Sequence, residues 1–184
     1  MADACNDEAV KKVYVAKKRP YDKPLLLLVN GMDMLEKYVL TINDLEKKLI
    51  DDYWPGPLTI LFKKNDNVSK YVSNNEYVGI RYPDNEIIKD ILDEFNKPVI
   101  STSANITDSD VITEVEMIPD ELLKNIDYVL DGGKLSNVSS TLIKVDDDKI
   151  TILRDGLLGE DIKNKYNILS IRRNIKSKRL LIKF

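Results

Sequence analysis

The fold is indicated first by the stretch KPVISTSAN, residues 97–105, in which an apolar segment runs straight into hydroxyl and amide side chains. The apolar part predicts a short buried strand over residues 97–102. Ligands bind open α/β sheets at the ends of strands, and hydroxyl and amide groups suit phosphate or ribose oxygens. An ordinary Ser/Asn turn or a helix N-cap explains the same residues, so both interpretations stay open here.

Strands and helices are predicted to alternate on both sides of this stretch. The predicted strands are residues 25–29, 58–63, 77–82, 126–130, 141–146 and 149–154. The predicted helices are 6–18 with Asn6 as N-cap, 32–38, a helix within 41–51 capped by Asn43 and Glu46, and 84–95. Trp54-Pro55-Gly56-Pro57 predicts a rigid turn, because two prolines remove backbone donors. This order indicates an α/β or α+β sheet domain.

The composition excludes several kinds of chemistry. The chain has 184 residues, 43% of them hydrophobic, with no histidine and a single cysteine. Histidine-dependent triads and Cys-His catalysis are therefore excluded, and we expect neither zinc nor haem. The longest purely apolar run, residues 25–29, is far too short to span a membrane. The expected compartment is the cytoplasm. An enzyme would have to use Lys, Arg, carboxylates and hydroxyls, with or without a hard metal such as magnesium.

Charge is distributed unevenly along the chain. Residues 164–184 contain seven bases and no acid, so residues 1–163 hold 21 bases against 31 acids, a net charge of −10. We therefore predict a domain at residues 1–163 and a basic, partly apolar C-terminal tail at 164–184. The tail either docks on the acidic domain or contacts RNA phosphates. We expect residues 179–184 to pack against the domain, because the tail is too apolar for a purely solvated arm.

Basic side chains gather at the end of the first predicted helix. Lys17 and Arg19 come at that end, and Lys23 precedes the next strand. Fixed cations suit a polyphosphate, with Arg supplying a fork of donors and Lys a point charge. From spacing alone, the same residues are more typical of a lysine-rich helix C-terminus that complements the helix dipole.

Further candidates follow later strands. Asp131-Gly132-Gly133 and Ser139-Ser140-Thr141 offer close backbone approach and hydroxyl groups, although a plain glycine turn fits as well. Arg81 and Arg154 each end a predicted strand. A strand-end arginine is either a carboxylate or phosphate ligand or one partner of a surface ion pair.

These motifs are more specific in their order than singly. Lys-x-Arg-Pro, Trp-Pro-Gly-Pro-Leu-Thr, Gly-Ile-Arg-Tyr-Pro, Thr-Ser-Ala-Asn, Asp-Gly-Gly with Ser-Ser-Thr, and Leu-Arg-Asp-Gly follow one another over residues 2–163. This order resembles the YrdC-like family. The resemblance implies a single α/β domain in which a strongly twisted mixed sheet with flanking helices surrounds a deep cleft.

The resemblance also implies an activity. Members of the family combine L-threonine, bicarbonate and ATP into threonylcarbamoyl-AMP and pyrophosphate, a nucleotidyltransferase reaction that supplies the tRNA threonylcarbamoyl-transfer machinery. ATP would enter with Mg²⁺, and no resident metal is expected. The residues that would bind ATP are Lys17, Arg19, Lys23, Ser103, Asn105 and Arg154, with Lys17 and Arg19 catalytic. Those that would bind threonine are Arg81, Ser101 and Ser140.

One departure from the family pattern is large. Family members carry a Pro-Thr-x-Thr-x-Tyr-Gly-Leu segment before the first helix, whereas this sequence opens at Met1 just past that point. Either the start lies upstream, or this is a shortened member with a weakened threonine site and an exposed sheet edge. The runner-up function is a non-catalytic, YciO-like protein that binds nucleotides or double-stranded RNA. A carbamoyl-transfer module like that of hydrogenase maturation proteins fits less well.

Overall fold

The computed structural model describes residues 1–135 and 138–168. The helices are α1 (Asp7–Ala16), α2 (Met32–Leu35), α3 (Asp44–Tyr53), α4 (Glu86–Phe95), α5 (Asp120–Leu123) and α6 (Gly159–Lys165), with a 3-10 helix at Val115–Met117. The strands are β1 (Ala2–Asp3), β2 (Leu26–Leu28), β3 (Leu58–Lys63), β4 (Tyr77–Arg81), β5 (Val99–Ser101), β6 (Thr141–Asp146) and β7 (Lys149–Arg154). The predicted packing of residues 179–184 lies outside the described residues.

The seven strands form one open sheet in the order β1-β5-β2-β4-β3-β6-β7. The pairs β2–β4 and β3–β6 are parallel, and the other neighbouring strands are antiparallel. The predicted fold class, a mixed sheet with flanking helices in a single domain, is confirmed.

One face of the sheet forms the core. Ile60 pairs with Ile80 and Ile143, and Leu27 pairs with Ile80 and Ile100, so these five side chains share a face, and all of them are buried. The same hydrophobic cluster includes residues of α1 and α3. The opposite face is covered in part by α4, whose Leu92 packs with Leu28 and Val99. On that second face Arg81 and Ser101 are only partly buried and Arg154 is exposed, so these side chains are accessible to a ligand.

Local capping fixes the helix boundaries. Asn43 and Glu46 form the predicted capping box at α3, with hydrogen bonds of 2.8 Å in both directions. Asn6 caps α1, as expected. Helix α4 starts at Glu86 rather than at 84, because the side chain of Asn85 accepts from the backbone of Ile88 and so sets the cap there.

The predicted strand at 126–130 is wrong, since within the described chain these residues belong to no strand. Tyr128 is 92% exposed, and Val129 and Leu130 are exposed too, so this apolar run has no sheet partner. In contrast, strand β1, which was not predicted, pairs with β5. No described helix is long and apolar enough to cross a membrane.

Helix α6 is held on the end of α3. Asp52 accepts a hydrogen bond of 2.6 Å from the Tyr166 hydroxyl and pairs with Lys165 at 2.8 Å. The hydroxyl of Tyr53 in turn donates to Asp161 at 2.6 Å. These contacts fix the last described turn of the chain against the domain.

Candidate functional site

Lys17 sits directly after α1 and is only 4% exposed. Its Nζ donates to the main-chain oxygens of Ser103, at 2.5 Å, and of Asn105. Burial, and to a smaller extent the charge of Arg19, lower the pKa of Lys17 to about 8. The predicted Lys-x-Arg and Ser-x-Asn motifs therefore meet in space.

The loop after β5 is held by its own side chains. The Ser103 hydroxyl donates to the Asn105 side-chain oxygen at 2.5 Å, and the Asn105 amide donates to the Ser109 main-chain oxygen at 2.7 Å. The backbone N–H of Thr107 donates to the Lys17 oxygen at 2.9 Å. The hydroxyl of Thr107 is buried without a hydrogen-bond partner among the described residues. The loop thus presents a fixed arrangement of polar groups beside the ammonium.

Arg19 and Lys23 lie in the turn between α1 and β2. Arg19 donates from Nε to the Lys23 oxygen at 3.0 Å and from Nη2 to the Pro24 oxygen at 2.8 Å. Lys23 pairs with Asp108 of the neighbouring loop at 3.4 Å. Arg19 therefore uses two of its donors to hold the turn. We call Lys17, Arg19, Lys23, Ser103 and Asn105 the loop cluster.

A second group forms on the partly uncovered face of the sheet. Arg154, the last residue of β7, donates from Nε to the Ser140 main-chain oxygen and from Nη2 to the Ser140 hydroxyl, both at 2.9 Å. The Thr59 hydroxyl of β3 lies 3.0 Å from the Ser140 hydroxyl. Thr59, Arg81, Ser140 and Arg154 are called the sheet-face cluster.

Arg81, at the end of β4, completes this cluster. Its Nε donates to the Gly56 oxygen in the turn before β3, at 2.8 Å. Burial, followed by the charge of Arg154, lowers the pKa of Arg81, so the two arginines repel each other. No ion pair among the described residues includes an arginine. Two cations without a carboxylate partner on one face are an arrangement that suits an anionic ligand.

A β-bulge aims Arg154 at Ser140. Leu142 pairs with Arg154 and Ile143 with Ile152, so Leu153 is an extra residue in β7. Because successive side chains in a strand point to opposite faces, a regular ladder would turn Arg154 to the other side of the sheet. The bulge is therefore a condition for the sheet-face cluster.

Strand β5 connects the two clusters, because Ser101 at its end shares a face with the sheet-face cluster and is followed directly by the loop cluster. Leu26 pairs with Ser101 and with Gly79, and Leu28 pairs with Arg81, so Ser101 and Arg81 belong to the same face. A Cβ on Gly79 would lie 3.4 Å from the Thr59 side chain, which places Thr59 there too. Ser101 leads within two residues into the loop cluster. The structure thus places Ser101 on the same face as Arg81 but gives its hydroxyl no hydrogen-bond partner among the described residues.

Two residues at the site, Thr59 and Gly156, were not among the predicted site residues. Thr59 ends the Trp-Pro-Gly-Pro-Leu-Thr motif, yet a lone threonine in a strand gave no sign of its contact with Ser140. Gly156 passes so close to the segment before β6 that a Cβ there would lie 2.4 Å from the Ser139 oxygen. The position of Gly156, two residues after the strand-end Arg154, was the one feature of the sequence that could have indicated this close approach.

Two cavities lie away from both clusters. One of 160 Å³ is lined by residues including Glu46 and Asp146, and one of 410 Å³ lies beside α2. Burial, the largest effect, raises the pKa of Glu46. Since Glu46 already caps α3, its burial has a structural explanation, and the candidate site is defined by the two clusters rather than by a cavity.

An open mixed sheet with a lysine-bound loop at one strand end and an arginine pair on the same face defines an α/β protein whose strand-end cations suit an anionic ligand. The chain belongs to the Sua5/YciO/YrdC family, whose model, described as "Telomere recombination", matches residues 1–156.

Individual relatives agree with this assignment. The chain is 44% identical over 158 residues to the "Putative threonylcarbamoyl-AMP synthase" of Methanocaldococcus jannaschii, covering 85% of this chain and 74% of that one. The structure of Pyrococcus abyssi Sua5 complexed with L-threonine matches with a TM-score of 0.82 and 29% identity over 88% of this chain. This chain spans 48% of that protein, about half its length. Escherichia coli YciO, at 23% identity and a TM-score of 0.75 over 84% of this chain and 76% of its own, shares the fold.

Proposed function

We propose that the protein is a nucleotidyltransferase that makes threonylcarbamoyl-AMP and pyrophosphate from L-threonine, bicarbonate and ATP. The observation that carries the proposal is the pair Arg81 and Arg154 on one face of the sheet, beside Ser140 and without a carboxylate partner among the described residues. A site of this kind suits a small carboxylate. The relatives named as threonylcarbamoyl-AMP synthases and the threonine-bound Sua5 structure support threonine as that carboxylate.

Threonine is assigned to the sheet-face cluster. Arg81 uses Nε on Gly56, which leaves its two Nη groups without a partner among the described residues. Such a fork can donate two parallel hydrogen bonds to a carboxylate. In this proposal Arg81 binds the threonine carboxylate, while Ser140 and Ser101 line the rest of the pocket.

ATP is assigned to the loop cluster and to Arg154. Lys17 supplies the central positive charge, with Arg19 and Lys23 beside it, and the Ser103–Asn105 loop faces the nucleotide. Mg²⁺ would arrive with ATP and be held mainly by phosphate oxygens and water. The described residues include no group of three His, Cys, Asp or Glu side chains that could hold a metal ion, so we assign no protein ligands to it.

The reaction needs charge stabilisation more than proton transfer by a histidine. The threonine nitrogen bonds to the bicarbonate carbon with loss of water, which gives a carbamate. A carbamate oxygen then attacks the α-phosphorus, and the bond from that phosphorus to the pyrophosphate oxygen breaks. Phosphoryl transfer of this kind depends mainly on positioning and on cations that stabilise the developing negative charge. Lys17 and Arg19 would provide those cations.

The test uses the full chain with ATP, Mg²⁺, bicarbonate and L-threonine. Pyrophosphate and threonylcarbamoyl-AMP are measured in the complete mixture and in mixtures that lack threonine or bicarbonate. We expect both products only in the complete mixture. ATP turnover that ignores threonine, or no turnover in any mixture, would contradict the proposal.

The proposal extends to the product's use. Threonylcarbamoyl-AMP would pass to the machinery that modifies tRNA, in the cytoplasm, where ATP and tRNA are found.

Direct binding of tRNA or double-stranded RNA by this chain is a separate property. A filter-binding assay at two salt concentrations would measure it, because phosphate contacts weaken steeply as salt rises.

A further inference from the structure

Thr59 is a buried hydroxyl group in the middle of the candidate site. It is 1% exposed, and its hydroxyl lies 3.0 Å from that of Ser140. The Ser140 hydroxyl also accepts a hydrogen bond of 2.9 Å from Nη2 of Arg154. These three groups form a chain that runs from β3 to the end of β7.

Counting donors decides the direction of the hydrogen bond between the two hydroxyls. Each hydroxyl has one hydrogen to donate and can accept two hydrogen bonds. If Ser140 donated to Thr59, the hydrogen of Thr59 would be buried with no acceptor among the described residues, which costs free energy. If Thr59 donates to Ser140, its own hydrogen is satisfied. Arg154 and Thr59 together then fill both acceptor positions of the Ser140 oxygen.

The consequence concerns the remaining hydrogen of Ser140. With both acceptor positions occupied, the Ser140 hydroxyl can only donate, and its hydrogen is left for a ligand. Arg81 on the same face also offers only donors, because a guanidinium has no acceptor. Ser140 and Arg81 thus both face the ligand as donors, and a ligand oxygen that accepts several hydrogen bonds, such as a carboxylate oxygen, fits them.

We propose that Thr59 is a positioning residue, which acts with Arg154 to fix Ser140 as a hydrogen-bond donor to the carboxylate of bound threonine. The inference rests on the proposed function for the identity of the ligand. Thr59 does not touch threonine in this arrangement. It acts only through Ser140, so removing its hydroxyl should weaken threonine binding only while Ser140 is present. A threonine with a purely structural role would have the same effect with or without Ser140.

The test is a double-mutant cycle on the full chain, with threonine affinity measured by calorimetry and the melting temperature recorded for each variant. Thr59→Val keeps the shape and removes the hydroxyl, and we expect it to weaken threonine binding about tenfold, the effect of one hydrogen bond. Thr59→Ser keeps the hydroxyl and should restore affinity to within about twofold of wild type. In a Ser140→Ala background, Thr59→Val should cause no further loss, because the group through which it acts is gone.

The outcomes separate this inference from the proposed function. If wild type binds threonine and Thr59→Val binds it equally well, the role of Thr59 is overturned and the proposed function stands. An equal loss from Thr59→Val in both backgrounds would show a structural effect and would also overturn the inference. If wild type does not bind threonine at all, the proposed function fails, and the ligand assigned to Ser140 fails with it.

Discussion

Lys17 and Ser103 are 86 residues apart in sequence, yet the Lys17 ammonium lies 2.5 Å from the main-chain oxygen of Ser103. This contact joins the end of α1 to the loop after β5. The cation that we assign to the ATP phosphates therefore keeps its place only while both segments are folded together. Substitutions in either segment should therefore alter the position of the Lys17 ammonium.

The lowered pKa of Lys17 predicts a pH dependence. With a folded-state pKa of about 8, Lys17 loses its proton as the pH rises through that value, and ATP affinity should fall with it. The unfolded chain holds this proton more tightly, so the contribution of Lys17 to the free energy of unfolding should rise from pH about 8 towards the usual lysine pKa. Calorimetry with ATP across this range measures the first effect. Lys17→Met should bind weakly with no such slope, and an identical slope in that variant would contradict the assignment.

Arg19→Ala should weaken ATP binding and loosen a turn. Loss of one charge-assisted hydrogen bond to a phosphate corresponds to about 1.5–3 kcal/mol. The two hydrogen bonds from Arg19 to the Lys23 and Pro24 oxygens are lost as well, so the melting temperature should fall. Lys12→Ala, which removes an exposed cation from α1, is the matched control and should change neither quantity appreciably. Unchanged ATP affinity in Arg19→Ala would remove Arg19 from the nucleotide site.

Gly156→Ala should disturb Ser140 through the backbone. The added Cβ would lie 2.4 Å from the Ser139 oxygen and 2.5 Å from the Ser140 carbonyl carbon, so one of the two segments must shift. We expect a loss of about 1–3 kcal/mol in stability together with weaker threonine binding. Gly132→Ala is the control, since its nearest neighbour would be 3.9 Å away. Denaturant titration of both variants makes the comparison, and equal stabilities would contradict the close approach.

Asp52→Asn should release α6 from α3 in a pH-dependent way. Hydrogen bonds from Lys165 and then Tyr166 lower the pKa of Asp52. A carboxyl with a lowered pKa contributes stability above the usual Asp pKa and loses it as the pH falls through the folded-state value. The variant should therefore melt below wild type at neutral pH, and the two should converge in acid. A difference that persisted in acid would point to another cause. Thermal melts at several pH values give the result.

The sequence predicted the elements whose signals are local. The capping box at Asn43 and Glu46 and the turn between two prolines depend on neighbouring residues, and both predictions held. The strand at 126–130 failed because an apolar run does not reveal whether a partner strand exists. Tyr128 and its neighbours have no such partner in the described chain.

The candidate site was only partly predictable for a similar reason. The proximity of Lys17 and Ser103 was predictable, because both lie in motifs that the family resemblance assigns to the same nucleotide site. The contact of Arg154 with Ser140 depends on the bulge at Leu153, and nothing local in the sequence marks that extra residue. The packing of the tail beyond residue 168 and the ligand assignments stay predictions.

The arginine pair has a consequence for how this protein could evolve. Arg81 is partly buried and repelled by Arg154, so the ligand-free domain keeps an electrostatic cost that an apolar residue at position 81 would remove. Arg81→Met loses the Nε hydrogen bond to the Gly56 oxygen, but it also removes the repulsion and the partly buried charge, so it should melt higher than wild type. It should also lose the threonine binding that we propose for Arg81. Selection for heat resistance and selection for catalysis would thus act on this one side chain in opposite directions. If arginine is retained at position 81 despite this cost in stability, selection for catalysis has been the stronger of the two.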